Sequence, residues 1–236
     1  MKRGIALLLA ALMIFSLAAC GTKSNGVAQQ TQTLESQEPA AASAEPTPAD
    51  ADPAQPETTG TEQKILIVYF TPANSDTVDA VSSATPRVGD LASVAYVAQM
   101  IGEQVDADTA QIVAVDAYPL PYRETADQAK QEQNDDARPA FTLDVDPEDY
   151  DVIFFGYPIW WYHLPMIVRN FFETYDLSGK TIIPFVLHAG SRDGGTFNEI
   201  KALEPNATVL DGLAIAGERA DRAQKDVNNW LAGLSY

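Results

Sequence analysis

Five apolar runs, each followed by a stretch of helical character, decide what residues 64–236 can fold into. Ile65 to Phe70 is continuous, apolar and rich in β-branched side chains, which marks a strand buried on both faces. Gln111 to Val115, Val152 to Phe155, Thr181 to Leu187 and Thr208 to Ala216 read as four more strands. Between them, Leu91, Val94, Ala95, Val97, Ala98, Ile101 and Val105 recur at helical spacing. Tyr122 to Asp136 is polar but built from strong helix formers, which predicts an exposed helix. Pro165 to Tyr175 starts with a proline where helices tolerate one and keeps an apolar stripe. Thr196 to Leu203 and Glu218 to Leu234 complete the set. Strands alternating with helices predict a parallel sheet covered on both faces. Two residues fit it poorly. Pro184 removes a ladder donor from the fourth strand, and Gly212 weakens the fifth.

The first 63 residues are different material. Residues 1–20 run from Lys2-Arg3 through the apolar stretch Ile5 to Leu17 to Ala18-Ala19-Cys20, the layout of a secretory signal. A retained anchor helix is the other reading, but the apolar run is short for a bilayer and no stop-transfer pattern follows. Leu17-Ala18-Ala19-Cys20 resembles the bacterial lipobox, which implies cleavage before Cys20 and a diacylglycerol on its sulfur. The expected location is therefore outside the cytoplasmic membrane, on its outer side or in the periplasm. Cys20 is the only cysteine, so the chain has no internal disulfide to stabilise it. Residues 21–63 are rich in Ala, Pro, Thr, Gln and Glu, and cannot bury enough surface to offset chain entropy. They read as a disordered, semi-stiff tether, and residues 64–236 as the one folded domain.

That domain holds twelve basic and 26 acidic residues, a net charge of −14. Such a surface is repelled by nucleic acid and by anionic lipid headgroups, so no nucleic-acid partner is expected.

In a parallel sheet, ligands bind beyond the carboxyl ends of the strands, where strand order reverses. Three loops matter. Thr71-Pro-Ala-Asn-Ser-Asp-Thr77 offers hydroxyls, an amide and backbone N–H groups but no Lys or Arg; it reads equally as a phosphate nest or as an ordinary turn. Gly156-Tyr-Pro-Ile-Trp-Trp-Tyr-His163 sets flat side chains directly after a buried strand, suited to sandwiching a planar ring or to packing on the following helix, with one tryptophan expected in the core. His188-Ala-Gly-Ser-Arg-Asp-Gly-Gly195 allows close backbone approach through its glycines. His163 and His188 make a weak metal pair, having no patterned carboxylate partner, and no metal is expected. His188, at a strand's carboxyl end, is the better placed of the two to bond a ligand edge. No catalytic triad stands out, and no catalytic residue is assigned.

Lys64-Ile-Leu-Ile-Val-Tyr-Phe-Thr71, Tyr150-Asp-Val-Ile-Phe-Phe-Gly-Tyr-Pro-Ile-Trp-Trp161, and Ser178-Gly-Lys-Thr-Ile-Ile-Pro-Phe185 followed by His188-Ala-Gly-Ser191 resemble the flavodoxin-like proteins, and more narrowly the branch with the Gly-Tyr-Pro-Ile-Trp-Trp loop. The resemblance spans residues 64–236. It implies an α/β three-layer sandwich, a five-stranded parallel sheet of order 2-1-3-4-5, and noncovalent FMN. It maps a phosphate loop onto Thr71, Asn74 and Thr77, and ring-flanking loops onto Pro158, Ile159, Trp160, Trp161 and Tyr162 and onto His188, Gly190 and Ser191. The family pattern also accommodates Pro184. The first loop departs from it, with Ala73 where a glycine is usual and a long insertion from Asp76 to Asp90. Within that insertion Asp79-Ala-Val-Ser-Ser-Ala-Thr85 resembles the acceptor motif of exported proteins that carry FMN as a phosphoester on threonine, with Ser83 in place of the usual glycine. Thr85-linked FMN is thus the alternative to a noncovalent cofactor. The implied function is redox: an electron carrier with a protein partner, or an oxidoreductase that reduces a small molecule such as a quinone. A flavodoxin-like binding or scaffold protein that has lost FMN is the alternative.

Overall fold

The computed structural model describes residues 63–72, 87–119 and 121–236. The signal and nearly all of the tether, with Cys20, and the loop residues Asn74, Thr77, Ser83 and Thr85 lie outside the described residues.

β1 is Ile65–Phe70, the run predicted from its continuous apolar pattern. A small hairpin, β2 (Arg87–Val88) and β3 (Leu91–Ala92), precedes α1 (Ser93–Gly102). Then come β4 (Asp108–Ala114), α2 (Tyr122–Asn134) and β5 (Phe141–Thr142). β6 (Val152–Pro158), α3 (Met166–Thr174), β7 (Thr181–His188) and α4 (Thr196–Leu203) follow. The chain closes with β8 (Thr208–Val209), β9 (Leu213–Ala216), a 3-10 turn over Gly217–Arg222, and α5 (Gln224–Ala232).

The main sheet runs β5-β4-β1-β6-β7-β8, with β9 also paired to β7. The parallel part has the expected 2-1-3-4-5 order, read as β4, β1, β6, β7 and the β8–β9 pair. Two features correct the five-strand expectation. An antiparallel edge strand is present, because β5 pairs Phe141 with Ala114 and Thr142 with Val113. Its two residues are too short to give a periodic signal. The fifth strand is also split. β8 ends its ladder with Leu210 N–H donating to Ile182 C=O at 2.9 Å, and β9 resumes it opposite Phe185. Pro184, which has no N–H to give, lies in the gap. Gly212 lies opposite it, where a Cβ would sit 2.6 Å from the Pro184 carbonyl. The two residues that fitted the strand pattern poorly are thus one feature, a break in the ladder where Pro184 has no donor to give and Gly212 makes room for close approach.

Alternation along the strands divides the core. Leu66, Val68, Phe70, Ile153, Phe155 and Tyr157 face α3 and its neighbours; Ile67, Val152, Phe154, Ile183, Phe185 and Leu187 face α1 and α5. Burying each such side chain is worth about 1.5–3 kcal/mol. Both faces being covered explains why β1, β6 and β7 read as continuous apolar runs.

Candidate functional site

The chain leaves β1 toward β4 on one side, then crosses back to β6 on the other. Strand order therefore reverses between β1 and β6, and their carboxyl ends flank the crevice such sheets use for ligands. β7 lies next to β6 and adds a third loop.

Thr71 follows β1 directly. It is 6% exposed, and its buried Oγ1 has no hydrogen-bond partner among the described residues. A buried hydroxyl left unpaired is costly, and in native folds it calls for an explanation such as an absent ligand.

The loop after β6 is a two-residue hairpin. Trp160 N–H donates to His163 C=O at 3.2 Å and His163 N–H to Trp160 C=O at 2.9 Å. The central residues Trp161 and Tyr162 have φ of 49° and 67°. A turn with both central residues left-handed normally takes Asn-Gly. Two bulky aromatic residues there cost about 1–2 kcal/mol each, and such strain concentrates at functional sites. Trp161 is 47% exposed and Tyr162 68%. The Trp161 indole N–H donates to Ala126 C=O at 2.9 Å, with the Lys130 ammonium 5.5 Å from the ring centre.

Trp160 has the opposite role. It is buried beneath the turn, edge-on to Phe70 at 5.5 Å and to Tyr118 at 5.1 Å. Tyr118 donates to the buried Glu132 carboxylate at 3.0 Å. One tryptophan in the core and one outside is the division expected from sequence. Ile159 and Pro158 are buried as well, with Ile159 N–H bonded to Leu187 C=O at 2.9 Å. Of the residues mapped to this loop, only Trp161 and Tyr162 offer rings to a ligand.

The loop after β7 is also left-handed, at Gly190, Arg192, Gly194 and Gly195. Gly190 N–H donates to His188 Nδ1 at 3.0 Å. That bond requires Nδ1 to be unprotonated, so the imidazole is neutral with its proton on Nε2. Burial holds the His188 pKa below its usual value, helped by nearby Arg192 and opposed by Asp193. The Ser191 hydroxyl makes a long contact, 3.4 Å to Arg192 C=O, while its carbonyl accepts from Gly194 N–H at 3.1 Å. The second and third loops are joined internally. Tyr157 OH donates to Thr196 Oγ1 at 2.9 Å, and Thr196 Oγ1 donates to Asp193 C=O at 2.6 Å. Gly194 lies against Tyr162, and a Cβ there would be 3.2 Å from the Tyr162 carbonyl.

The fold has a counterpart among known proteins. The family model of the flavodoxins matches residues 87–234. The chain belongs to the flavodoxin family. The flavodoxin domain is similar to solved structures of candidate flavoproteins from Bacteroides eggerthii and Bacteroides uniformis. The first is 28% identical over 72% of this chain and 97% of that one, at a TM-score of 0.55. The second is 25% identical over 72% and 98%, at 0.56. A Lactobacillus acidophilus flavoprotein solved in complex with FMN shares the fold at 17% identity, over 68% of this chain and 98% of that one, at 0.50. No protein of curated function matches this chain in sequence.

Among the described candidates, the flavodoxin fold gathers the loops of Thr71, Trp161 with Tyr162, and His188 with Gly190 at the carboxyl edge of β1, β6 and β7. His163 Nδ1 lies 3.0 Å from Glu199 Oε1, while His188 Nδ1 accepts from Gly190 N–H. Three polar residues at this edge escaped sequence reasoning. Gln133 donates to Trp160 C=O at 3.0 Å, and Glu199 meets both His163 and Arg169. Gln133 is one polar residue among many in its helix and carries no signal. Glu199 follows Thr196 by three, which puts both on one face of α4, but its partners come from distant sequence.

Proposed function

We propose that this flavodoxin binds FMN at the carboxyl edge of β1, β6 and β7 and serves in redox chemistry outside the cytoplasmic membrane. The observation that carries the reading is the Trp161–Tyr162 turn. It stores backbone strain, leaves two aromatic rings partly uncovered, and stands where this family of sheets opens to ligands. The core has no need of it, because Trp160 already closes the sheet's end.

The residues present suit the cofactor. Thr71 has a buried hydroxyl with no partner among the described residues, matched to a phosphate oxygen. Trp161 and Tyr162 supply ring faces. His188, neutral and with Nε2–H as its remaining donor, suits a carbonyl or nitrogen acceptor on a planar ring. Gly190, Gly194 and Gly195 let backbone approach closely, since only glycine takes their positive φ freely. FMN, when bound, supplies the electron- or hydride-accepting chemistry; the protein holds, orients and desolvates it. The site offers no cysteine, so thiol chemistry has no residue there. FMN held without a covalent bond is favoured, and attachment at Thr85 is a distinct outcome that mass spectrometry separates.

The signal, lipobox and tether support a lipid-anchored protein held outside the membrane through Cys20. Free FMN is scarce there, so tight retention matters. Reduced nicotinamide is a poor donor in that compartment, which favours a carrier or quinone-coupled role over a nicotinamide-dependent enzyme. The test is the absorption spectrum of the purified domain, before and after adding FMN and after denaturation and precipitation. A flavin spectrum perturbed on binding supports the reading. A colourless domain that leaves added FMN unperturbed overturns it.

A further inference from the structure

The hairpin after β6 is held from two sides. On the α2 side, Gln133 bonds the Trp160 carbonyl, the Trp161 indole bonds the Ala126 carbonyl, and Lys130 sits over the Trp161 ring. On the α4 side, one carboxylate does the holding. Glu199 Oε1 lies 3.0 Å from His163 Nδ1, and Glu199 Oε2 accepts from Arg169 Nη2 at 3.1 Å. His163 closes the hairpin through its own backbone, Arg169 belongs to α3, and Glu199 sits in the first turn of α4. A single side chain thus ties together the strained turn and two helices.

The chemistry fixes which way this contact works. The Glu199 carboxylate accepts from Arg169 and lies in the first turn of α4, where negative charge is favoured. A carboxylate oxygen accepts, so the contact is made by the His163 tautomer that donates from Nδ1. Glu199 is 20% exposed and Arg169 29%, so their bond is partly shielded from water, while the His163 side of the contact is open to solvent.

We infer that Glu199 is a positioning residue which, through His163, locks the left-handed Trp161–Tyr162 turn and so presets the ring platform for a planar ligand. Strained backbone persists only where its surroundings over-determine it. α2 grips the first half of the turn and Glu199 grips the second. Removing the α4 grip lets Trp161 and Tyr162 leave the left-handed region, and the ligand must then restore them at the cost of affinity. The ligand part of this inference rests on the FMN reading; the clamp itself does not.

The experiment is a double-mutant cycle of Glu199→Ala, His163→Ala and the pair, with Glu199→Gln as a variant of equal size. Two quantities are read: the Trp161 indole N–H resonance in the FMN-free domain, assigned by Trp161→Phe, and the FMN dissociation constant. In the expected result the indole resonance shifts or broadens in both single variants while melting stays cooperative. FMN binding weakens about tenfold in each, and the pair is no worse than either single variant, the signature of two residues acting as one contact. Additive losses, or an unmoved indole resonance, overturn the clamp. If the wild-type domain binds FMN and the variants bind it equally well, the positioning role fails and the FMN reading stands. If no form binds FMN, that reading fails, and the indole resonance alone upholds the clamp by moving or overturns it by staying.

Discussion

The loops after β6 and β7 use the same unusual backbone for opposite ends. Both are left-handed, yet the first places Trp161 and Tyr162 there and the second mainly glycines, Gly190, Gly194 and Gly195. Glycine takes that conformation at little steric cost, so the third loop is shaped cheaply and has room to adapt. The second loop is shaped against its own preference and needs hydrogen bonds from α2 and α4 to stay so. The contrast teaches which loop is held rigid by its neighbours and which takes its shape from glycine. They meet where Gly194 lies against the Tyr162 carbonyl, with no room to spare for a Cβ.

Four changes break or sharpen that contrast. The largest effect falls on the paired tryptophans. Trp160→Ala removes a buried aromatic and is expected to cost about 3–5 kcal/mol in urea unfolding. Trp161→Ala should cost far less stability and abolish most FMN affinity; equal stability losses would mean both rings are core. Next come the glycines. Gly194→Ala should cost more than Gly190→Ala, each losing about 1–2 kcal/mol for left-handed backbone, because only the Gly194 Cβ meets a neighbour. Denaturation of the two variants side by side checks the order.

Tyr162→Gly works in the other direction. Its side chain is largely exposed, so the change mainly relieves strain, and stability should rise by about 1 kcal/mol while FMN binding weakens. A loss of stability would show that the turn is not strained. The smallest effect is the pH response of His188. Its pKa is lowered in the folded state, so the neutral form is the one that folding favours. The associated stability is complete above the unfolded value of 6.5 and is lost as pH falls through the lowered folded value. Protonation also removes the acceptor for Gly190 N–H. Thermal melting of the wild type should therefore decline from pH 6.5 downward more steeply than that of His188→Gln.

The strands were legible where their chemistry is local. β1 and α4 fall on the residues that periodicity marks, because each is defined by its own apolar spacing. β4 starts three residues earlier than its apolar pattern, since Asp108 and Thr109 are held by pairing to β1 rather than by their own burial. Glu218 to Leu234 is not one helix but a 3-10 turn and then α5, a distinction apolar spacing cannot register. At the site, the aromatic loop was legible from its composition. The roles of its two tryptophans were not separable, because which one is buried depends on a turn whose sequence, Trp-Tyr, is not that of a left-handed turn. The Glu199 contact was invisible for the usual reason: it joins residues that only the fold brings together.

The most direct measurement is a titration of the intact chain with FMN, following flavin absorbance and tryptophan fluorescence together, in the wild type and in Trp161→Ala. The expected result is saturable one-to-one binding that quenches tryptophan emission in the wild type and is lost in Trp161→Ala, with melting of the variant still cooperative. Unchanged spectra in the wild type, or full binding by the variant, would contradict a flavin platform built on the strained turn.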